Sequence, residues 1–196
     1  MTVLTIRMIG DPVLRTPAAA VASIDDTVRE LIANMFETMD AVSGIGLAAP
    51  QIGVGRRIFT YDVSGQRGAV INPQLQLLGE RTFTPREPEA GPAAGENLLR
   101  EGCLSVAEIY SPVARAQRVL LSGIDQHGSD IEADATGLLA ACFQHEVDHL
   151  DGRLFVDRLT GAEKSAAARA LRSREYGQAL DQAQVTRRTS SSFFAS

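Results

Sequence analysis

The stretch His145-Glu146-Val147-Asp148-His149 places two histidines four positions apart, with a glutamate between them. On an α-helix, residues four apart lie on one face a turn apart, so both imidazoles can bind a single metal ion. Glu146 leans toward the same side, close enough to act on a water bound to that ion. A surface helix that carries the pattern without a metal is the alternative. The stretch therefore predicts a central helix at a metal site, and a third ligand must complete it.

The search for the third ligand is short, because the chain has only three His and two Cys. Phe155 occupies the position at which the metzincin pattern places its third histidine, so that arrangement fails. A thermolysin-like site would use a later glutamate, but nothing in the sequence marks Glu163 or Glu175 for that role. His127 falls in a predicted hairpin turn, where a side chain is more often solvated than bound to metal. The two cysteines remain as candidates.

Cys142 and Cys103 differ in their position relative to the predicted helix. A helix from residue 142 to residue 149 spans about 10 Å, too far for Cys142 to share one ion with both histidines. Cys142 is therefore interpreted as a small apolar residue of a pocket wall. Cys103 follows Gly102 in a separate stretch and is the favoured third ligand, with an ordinary buried thiol as the alternative. A Cys/His/His set leaves a coordination position open, as catalytic sites require.

Three stretches together resemble the signature motifs of the peptide deformylase family. They are Gly44-Ile45-Gly46-Leu47-Ala48-Ala49-Pro50-Gln51-Ile52-Gly53, Glu101-Gly102-Cys103-Leu104-Ser105 and Gln144-His145-Glu146-Val147-Asp148-His149-Leu150-Asp151-Gly152. They occur in the family's order, and the resemblance extends from about residue 1 to residue 159. The resemblance implies an enzyme that removes the N-formyl group from the initiator methionine of new bacterial polypeptides and releases formate.

The resemblance also implies a metal and the residues that hold it. The implied ion is Fe²⁺, bound by Cys103, His145 and His149, and Ni²⁺, Co²⁺ or Zn²⁺ can stand in for it. A metal ion lowers the pKa of the water that it binds, which gives a nucleophile near neutral pH. Glu146 would accept the proton of this water and later pass it to the departing amine.

Further residues match family positions around the reacting group. The Gln51 side chain and the Leu104 backbone N–H correspond to the donors that stabilise the oxyanion of the tetrahedral intermediate. The pocket for the methionine side chain corresponds to Ile45, Leu138 and Cys142, for which ordinary core packing is the alternative. Gly46 has no side chain and would allow the substrate backbone to approach.

The sequence departs from the family pattern shortly after the second motif, and two other functions remain open. Ala107 stands where many members have proline, which affects the expected reach of the substrate more than the chemistry. An H-E-x-x-H zinc peptidase is one alternative function. A non-catalytic metal-binding module that associates with the ribosome is the other.

The length of 196 residues and the 44% of hydrophobic residues favour one globular catalytic domain, predicted over residues 1–175, with a flexible tail over residues 176–196. The sequence shows no leader peptide and no apolar run of 18 residues, and two cysteines give no disulfide framework. These features predict a cytoplasmic protein without a membrane anchor or a disulfide-linked partner.

Charge is distributed unevenly along the chain. Residues 1–156 carry 12 Lys/Arg and 20 Asp/Glu, a net charge of −8, whereas residues 157–196 carry 7 Lys/Arg and 4 Asp/Glu, a net charge of +3. A basic C-terminal segment on an acidic body suggests contact with a polyanion such as the ribosome. A solvated helix face followed by a frayed tail is the alternative.

Hydrophobic periodicity predicts an α+β fold, with antiparallel β-sheets around the central metal-binding helix. One helix is predicted from Asp26 to Val42, capped by Asp25 or Asp26. Strands are predicted over 57–63, 69–79, 113–125 and 131–135, and exposed or irregular segments over 44–53 and 83–99. The metal helix is predicted to begin after Thr136 and end before Gly152, and a capping box at Thr160 to open a last helix extending to about residue 174.

Overall fold

The computed structural model describes residues 2–83 and 98–178. The helices and strands in chain order are α1 (Asp26–Ala41), β1 (Gly46–Ala48), β2 (Ile58–Val63), β3 (Gln66–Phe83), β4 (Arg100–Cys103), β5 (Val106–Pro112), β6 (Ala114–Ile124), β7 (Asp130–Thr136), α2 (Gly137–Leu150) and α3 (Gly161–Ala170). Short 3₁₀ helices are formed by Pro12–Arg15, Ala49–Ile52 and Phe155–Arg158. The predicted α+β class is confirmed.

Helix α1 forms as its sequence predicts. The Asp25 side chain accepts a hydrogen bond from the Val28 N–H at 3.0 Å, which satisfies one of the free donors of the first turn. The residues of the helix that are fully shielded from solvent recur every three or four positions; they are Val28, Ile32, Met35 and Met39. The helix ends at Ala41, one residue before the predicted end. Its apolar stripe is part of the core, as predicted.

Two antiparallel sheets form the β part of the fold. Five strands make the main sheet in the order β1-β2-β3-β6-β7, and β4 pairs with β5 in a separate two-stranded sheet. The four predicted strands correspond to β2, β3, β6 and β7. Strand β3 is longer than predicted, because β6 pairs with it as far as Phe83. The Asp125 side chain accepts bonds from the N–H groups of His127 and Ser129, which confirms the predicted turn between β6 and β7.

The structure corrects the expectation of irregular structure over residues 44–53. Gly46–Ala48 forms β1, which pairs with β2, and Ala49–Ile52 forms a 3₁₀ helix. Small side chains allow this segment to be buried against its neighbours, and Pro50 fits the first turn of a helix because it needs no N–H donor there. Strand β4, which ends at Cys103, follows the segment predicted as a loop and pairs with β5.

Helix α2 is the central helix of the fold, and most of its residues are buried on all sides. Gln144 fixes it to β6, because its side-chain amide exchanges two hydrogen bonds with the backbone of Ala116, at 2.9 and 3.0 Å. The helix ends before Gly152, as predicted. Gly152 has a φ of +71°, and a Cβ there would lie 2.8 Å from the carbonyl oxygen of Arg15, so only glycine fits this turn.

The capping box predicted at the start of α3 is wrong. Thr160 precedes the helix but makes no side-chain capping bond, and Glu163 instead bonds the hydroxyl of Ser111 on β5. The helix ends at Ala170, earlier than predicted. A later residue, Tyr176, is only 9% exposed and packs in the same core cluster as α1 and β5. The first residue of the predicted tail thus lies in the core.

Two predicted segments fall largely outside the described residues. They are most of the loop predicted over 83–99 and most of the tail predicted over 176–196. Among the described residues, none of the helices has the length and apolar character needed to cross a membrane.

Candidate active site

The three predicted metal ligands lie together in the structure. Cys103 is the last residue of β4, and His145 and His149 lie one turn apart on α2. One ligand atom from each residue lies within 4.8 Å of the other two, and Cys103 Sγ is 3.2 Å from His149 Nε2. A thiolate and two imidazoles are donors that suit a divalent transition metal. The residues therefore fit the metal that their pattern predicts.

The charges around Cys103 favour the thiolate form that a metal requires. Burial raises the pKa of the Cys103 thiol, but the neighbouring His149 and His145 imidazoles outweigh burial and hold this pKa well below its ordinary value. The Ser105 N–H also donates to Cys103 Sγ at 3.4 Å. Burial lowers the pKa of His145, whereas its contacts with Cys103 and Glu101 raise it, and the net change is upward.

His145 is oriented by a carboxylate behind it. Its Nδ1 lies 3.0 Å from Glu101 Oε2, so this nitrogen donates and Nε2 is left for a metal. Burial raises the pKa of Glu101, but Arg115 and His145 reverse this effect and keep the carboxylate ionised. His149 is fully buried, and its Nδ1 has no hydrogen-bond partner among the described residues. The His145 ring is thus oriented by a hydrogen bond to a carboxylate, whereas no such bond orients the His149 ring among the described residues.

Glu101 belongs to a buried ion cluster that the sequence did not predict. Its members are Glu101, Arg115, Asp148 and Arg158, which lie on four different elements. The acidic pair was within reach of sequence reasoning, since Glu101 is in the second motif and Asp148 in the third. The arginines gave no local signal, because their partners lie on other elements, at least ten residues away in the sequence.

Glu146 lies beside the ligands and is shielded from solvent. Its side chain is buried, and its Oε2 has no hydrogen-bond partner among the described residues. Burial is the main cause that raises its pKa to about 7. A carboxylate with a pKa close to the operating pH is suited to accept and return a proton.

Gln51 points its amide toward the ligands. Its Oε1 accepts a hydrogen bond from the Ala48 N–H at 2.7 Å, which leaves Nε2 directed at Cys103 Sγ, 3.7 Å away, and at the Ser105 hydroxyl, 3.5 Å away. Leu104 follows Cys103 and lines the adjoining cleft. The two residues predicted to supply the oxyanion donors therefore line the same cleft.

A cleft of about 430 Å³ opens beside the ligands. All four residues predicted for the substrate pocket line it: Ile45, Gly46, Leu138 and Cys142. Ile45 and Leu138 are 47% and 38% exposed, so both present apolar surface at the cleft. The cleft lies between β1 and β4, and each of these strands has only one strand neighbour in the sheets of the described residues.

Comparison with known proteins gives a consistent result. The family model for polypeptide deformylase matches residues 3–165. The peptide deformylase of Acidothermus cellulolyticus is 44% identical over 176 residues, which cover 90% of this chain and 89% of that protein. Peptide deformylase 1 of Corynebacterium efficiens is 42% identical over 180 residues, covering 90% and 98%.

Solved structures agree with the sequence comparison. The peptide deformylase of Thermus thermophilus superposes with a TM-score of 0.76 at 34% identity, covering 92% of this chain and 99% of that one. The Synechococcus elongatus peptide deformylase, solved in complex with actinonin, gives 0.75 at 35% identity and covers 90% of both chains. With the motifs, the ligand geometry and the fold in agreement, the chain belongs to the polypeptide deformylase family.

Proposed function

We propose that the cleft beside Cys103, His145 and His149 removes the N-formyl group from the N-terminal methionine of nascent polypeptides and releases formate. Enzymes of this family are metal-dependent hydrolases that act in protein synthesis, and the chain is one of them. The observation that carries the assignment of the site is the convergence of the three donor atoms within 4.8 Å, with the buried Glu146 beside them.

Cys103, His145 and His149 would hold the metal, and Glu101 would orient His145 through its Nδ1. A divalent metal bound there would supply Lewis acidity, which activates a water and polarises the formyl oxygen. The imidazoles beside Cys103 already favour its thiolate, and metal binding would displace the proton that these contacts hold on His145.

Glu146 would accept the proton of the attacking water and then deliver it to the nitrogen of the departing amine. Its raised pKa makes both transfers possible near neutral pH. The Gln51 Nε2–H and the Leu104 N–H would donate to the oxygen on which negative charge develops. Removal of one such donor typically costs about 2.7–4 kcal/mol of transition-state stabilisation.

The cleft would bind the peptide in an extended conformation between β1 and β4, whose backbones can pair with an added strand. Ile45, Leu138 and Cys142 would contact the methionine side chain. A thiol and two aliphatic groups form an apolar, polarisable wall that suits a thioether.

We propose Fe²⁺ as the working metal. Zn²⁺ in proteins most often has four ligands, whereas Fe²⁺ more readily accepts further ligands. Cys103, His145 and His149 would hold either ion, and an ion that accepts further ligands would better supply Lewis acidity to both water and substrate. Ni²⁺ or Co²⁺ would support activity in place of Fe²⁺. Zn²⁺ would bind at the same site but support less activity.

We also propose that the basic C-terminal segment, residues 157–196, contacts the ribosome, where nascent chains emerge. Four of its cationic side chains are exposed: Lys164, Arg169, Arg172 and Arg174.

The catalytic domain would comprise residues 1–175 together with the buried Tyr176. The protein would act in the cytoplasm, because its substrate is made there.

An assay on formyl-Met-Ala-Ser beside the same peptide without the formyl group tests the proposed activity. We expect release of formate from the first peptide and no cleavage of either peptide bond. Cleavage of internal bonds in the unformylated peptide would instead support an H-E-x-x-H zinc peptidase. Binding of metal without any turnover would support a non-catalytic module.

A further inference from the structure

The three proposed ligands come from two elements that belong to different parts of the fold. Cys103 ends β4 in the two-stranded sheet, and both histidines lie on α2, which is fixed to β6 of the main sheet through Gln144. A metal site requires that these elements keep a fixed separation to within a few tenths of an ångström. The side chains that join β4 to α2 therefore determine the geometry of the ligand set.

Arg115, on β6, joins the two elements with one guanidinium. Its Nε and Nη2 donate to the two carboxylate oxygens of Glu101 at 2.7 and 2.8 Å, and its Nη1 donates to Asp148 Oδ2 at 2.6 Å. Glu101 stands two residues before Cys103, and Asp148 directly precedes His149. A guanidinium is planar and rigid, so bonds on two of its edges fix the distance between its partners.

Burial makes this bridge stiff. The side chains of Arg115, Glu101 and Asp148 are 4%, 8% and 6% exposed, so water does not compete for their hydrogen bonds. Arg158 approaches Asp148 from the 3₁₀ helix after α2, with Nε 3.1 Å from Oδ2 and Nη2 bonded to Oδ1. Two arginines and two carboxylates make the cluster electrically neutral, as a buried charge cluster requires.

We propose that Arg115, supported by Arg158, is a positioning residue that sets the separation between Cys103 and the two histidines. The same bridge holds Glu101 against His145 Nδ1, and so it also fixes the orientation of that ring. The inference rests on the proposed ligand set of Cys103, His145 and His149. It assigns to Arg115 and Arg158 no contact with substrate.

The test uses the full-length protein loaded with Co²⁺, whose thiolate-to-cobalt absorption band reports on the bond to Cys103. Arg115→Lys keeps the charge but cannot bond both carboxylates as a fork, and Arg158→Gln removes only the outer support. The control is Arg118→Lys on the same strand, where Arg118 forms a similar forked pair with Asp134 but both side chains are about half exposed. The rate of Co²⁺ loss to excess chelator and the absorption band are measured for each.

Arg115→Lys should lose Co²⁺ at least about tenfold faster than the parent protein, with a shifted band, because supporting residues behind metal ligands change affinity by 10- to 100-fold. Arg158→Gln should change the rate of Co²⁺ loss and the absorption band in the same direction, but by less. Arg118→Lys should match the parent in both measurements.

The inference is overturned if Arg115→Lys and Arg158→Gln lose Co²⁺ at the control rate with unchanged bands, even when their melting temperatures fall. If Arg115→Lys does not fold, Arg158→Gln decides alone. A band that survives in Cys103→Ser would overturn the ligand set and the inference with it.

Discussion

Gly46 and Glu146 occupy adjoining space, and only a glycine leaves room for the carboxylate. A Cβ on Gly46 would lie 2.8 Å from Glu146 Cδ and 3.1 Å from Cys142 Sγ. Its backbone φ is one that any residue can adopt, so space alone excludes a side chain there. The sequence suggested that Gly46 serves the approach of the substrate backbone. The structure adds that it accommodates the proposed general base.

Gly46→Ala should therefore displace Glu146 and lower kcat by about 10²-fold or more, the usual contribution of a positioned general base. Metal content should remain at the parental level, because the three atoms nearest the added methyl group belong to Glu146 and Cys142 and not to a ligand. The control is Gly55→Ala, where a Cβ would meet no atom within 4 Å. Parental kcat in Gly46→Ala would show that the carboxylate does not need this space.

Local patterns in the sequence were enough to predict α1, α2 and the ligand set. The apolar residues of α1 recur every three or four positions, whereas α2 was predicted from the spacing of His145 and His149, which places both on one helix face. The segment Gly46–Ala48 could not be recognised as a strand, because its pairing with β2 is non-local and its small residues have weak strand preference. The ion pairs of Arg115 and Arg158 were missed for a related reason, since each pair joins residues on two different elements.

The pKa of Glu146 predicts a pH-dependent effect on the stability of the metal-free protein. Its folded-state pKa of about 7 lies above the ordinary value of 4.5. The contribution of the protonated carboxyl to stability is thus complete below pH 4.5 and is lost as the pH rises through 7. Glu146→Gln stays neutral, so it should become more stable than the parent by up to about 3 kcal/mol between pH 5 and pH 8.

Urea unfolding of both metal-free proteins at several pH values measures this difference. Glu132→Gln, at an exposed position on β7, serves as the control variant. A stability difference between Glu146→Gln and the parent that stays constant from pH 5 to pH 8 would contradict the raised pKa of Glu146.

The proposed metal predicts a specific sensitivity to oxygen. Fe²⁺ and the Cys103 thiolate are both oxidised in air, and oxidation of either removes the site. Protein purified in air should lose most of its activity, and anaerobic Fe²⁺, or Ni²⁺ or Co²⁺ in air, should restore it better than Zn²⁺. Measurement of kcat/KM on a formyl-methionyl peptide for each metal form tests this. Equal kcat/KM values for the Zn²⁺ and Fe²⁺ forms would refute Fe²⁺ as the working metal. They would not affect the assignment of the three ligands.

The proposed ribosome contact predicts an effect of charge that the short-peptide assay does not detect. Replacement of Lys164, Arg169, Arg172 and Arg174 by glutamine should weaken co-sedimentation with ribosomes and reduce its dependence on salt. Turnover of formyl-Met-Ala-Ser should not change. A deletion of residues 179–196 is the companion variant, since a cut before Tyr176 would also remove a core side chain. Unchanged co-sedimentation in both variants would support the alternative, in which the segment is only a solvated helix face.

The most direct test of the account is the behaviour of Glu146→Gln in the metal-loaded enzyme. Glu146 is assigned as the base and not as a ligand, so the variant should bind one metal per chain and keep the parental fold. Its release of formate from formyl-Met-Ala-Ser should fall by at least about 10²- to 10⁴-fold. Turnover close to the parental rate, with metal bound, would contradict the role of Glu146 in the proposed mechanism.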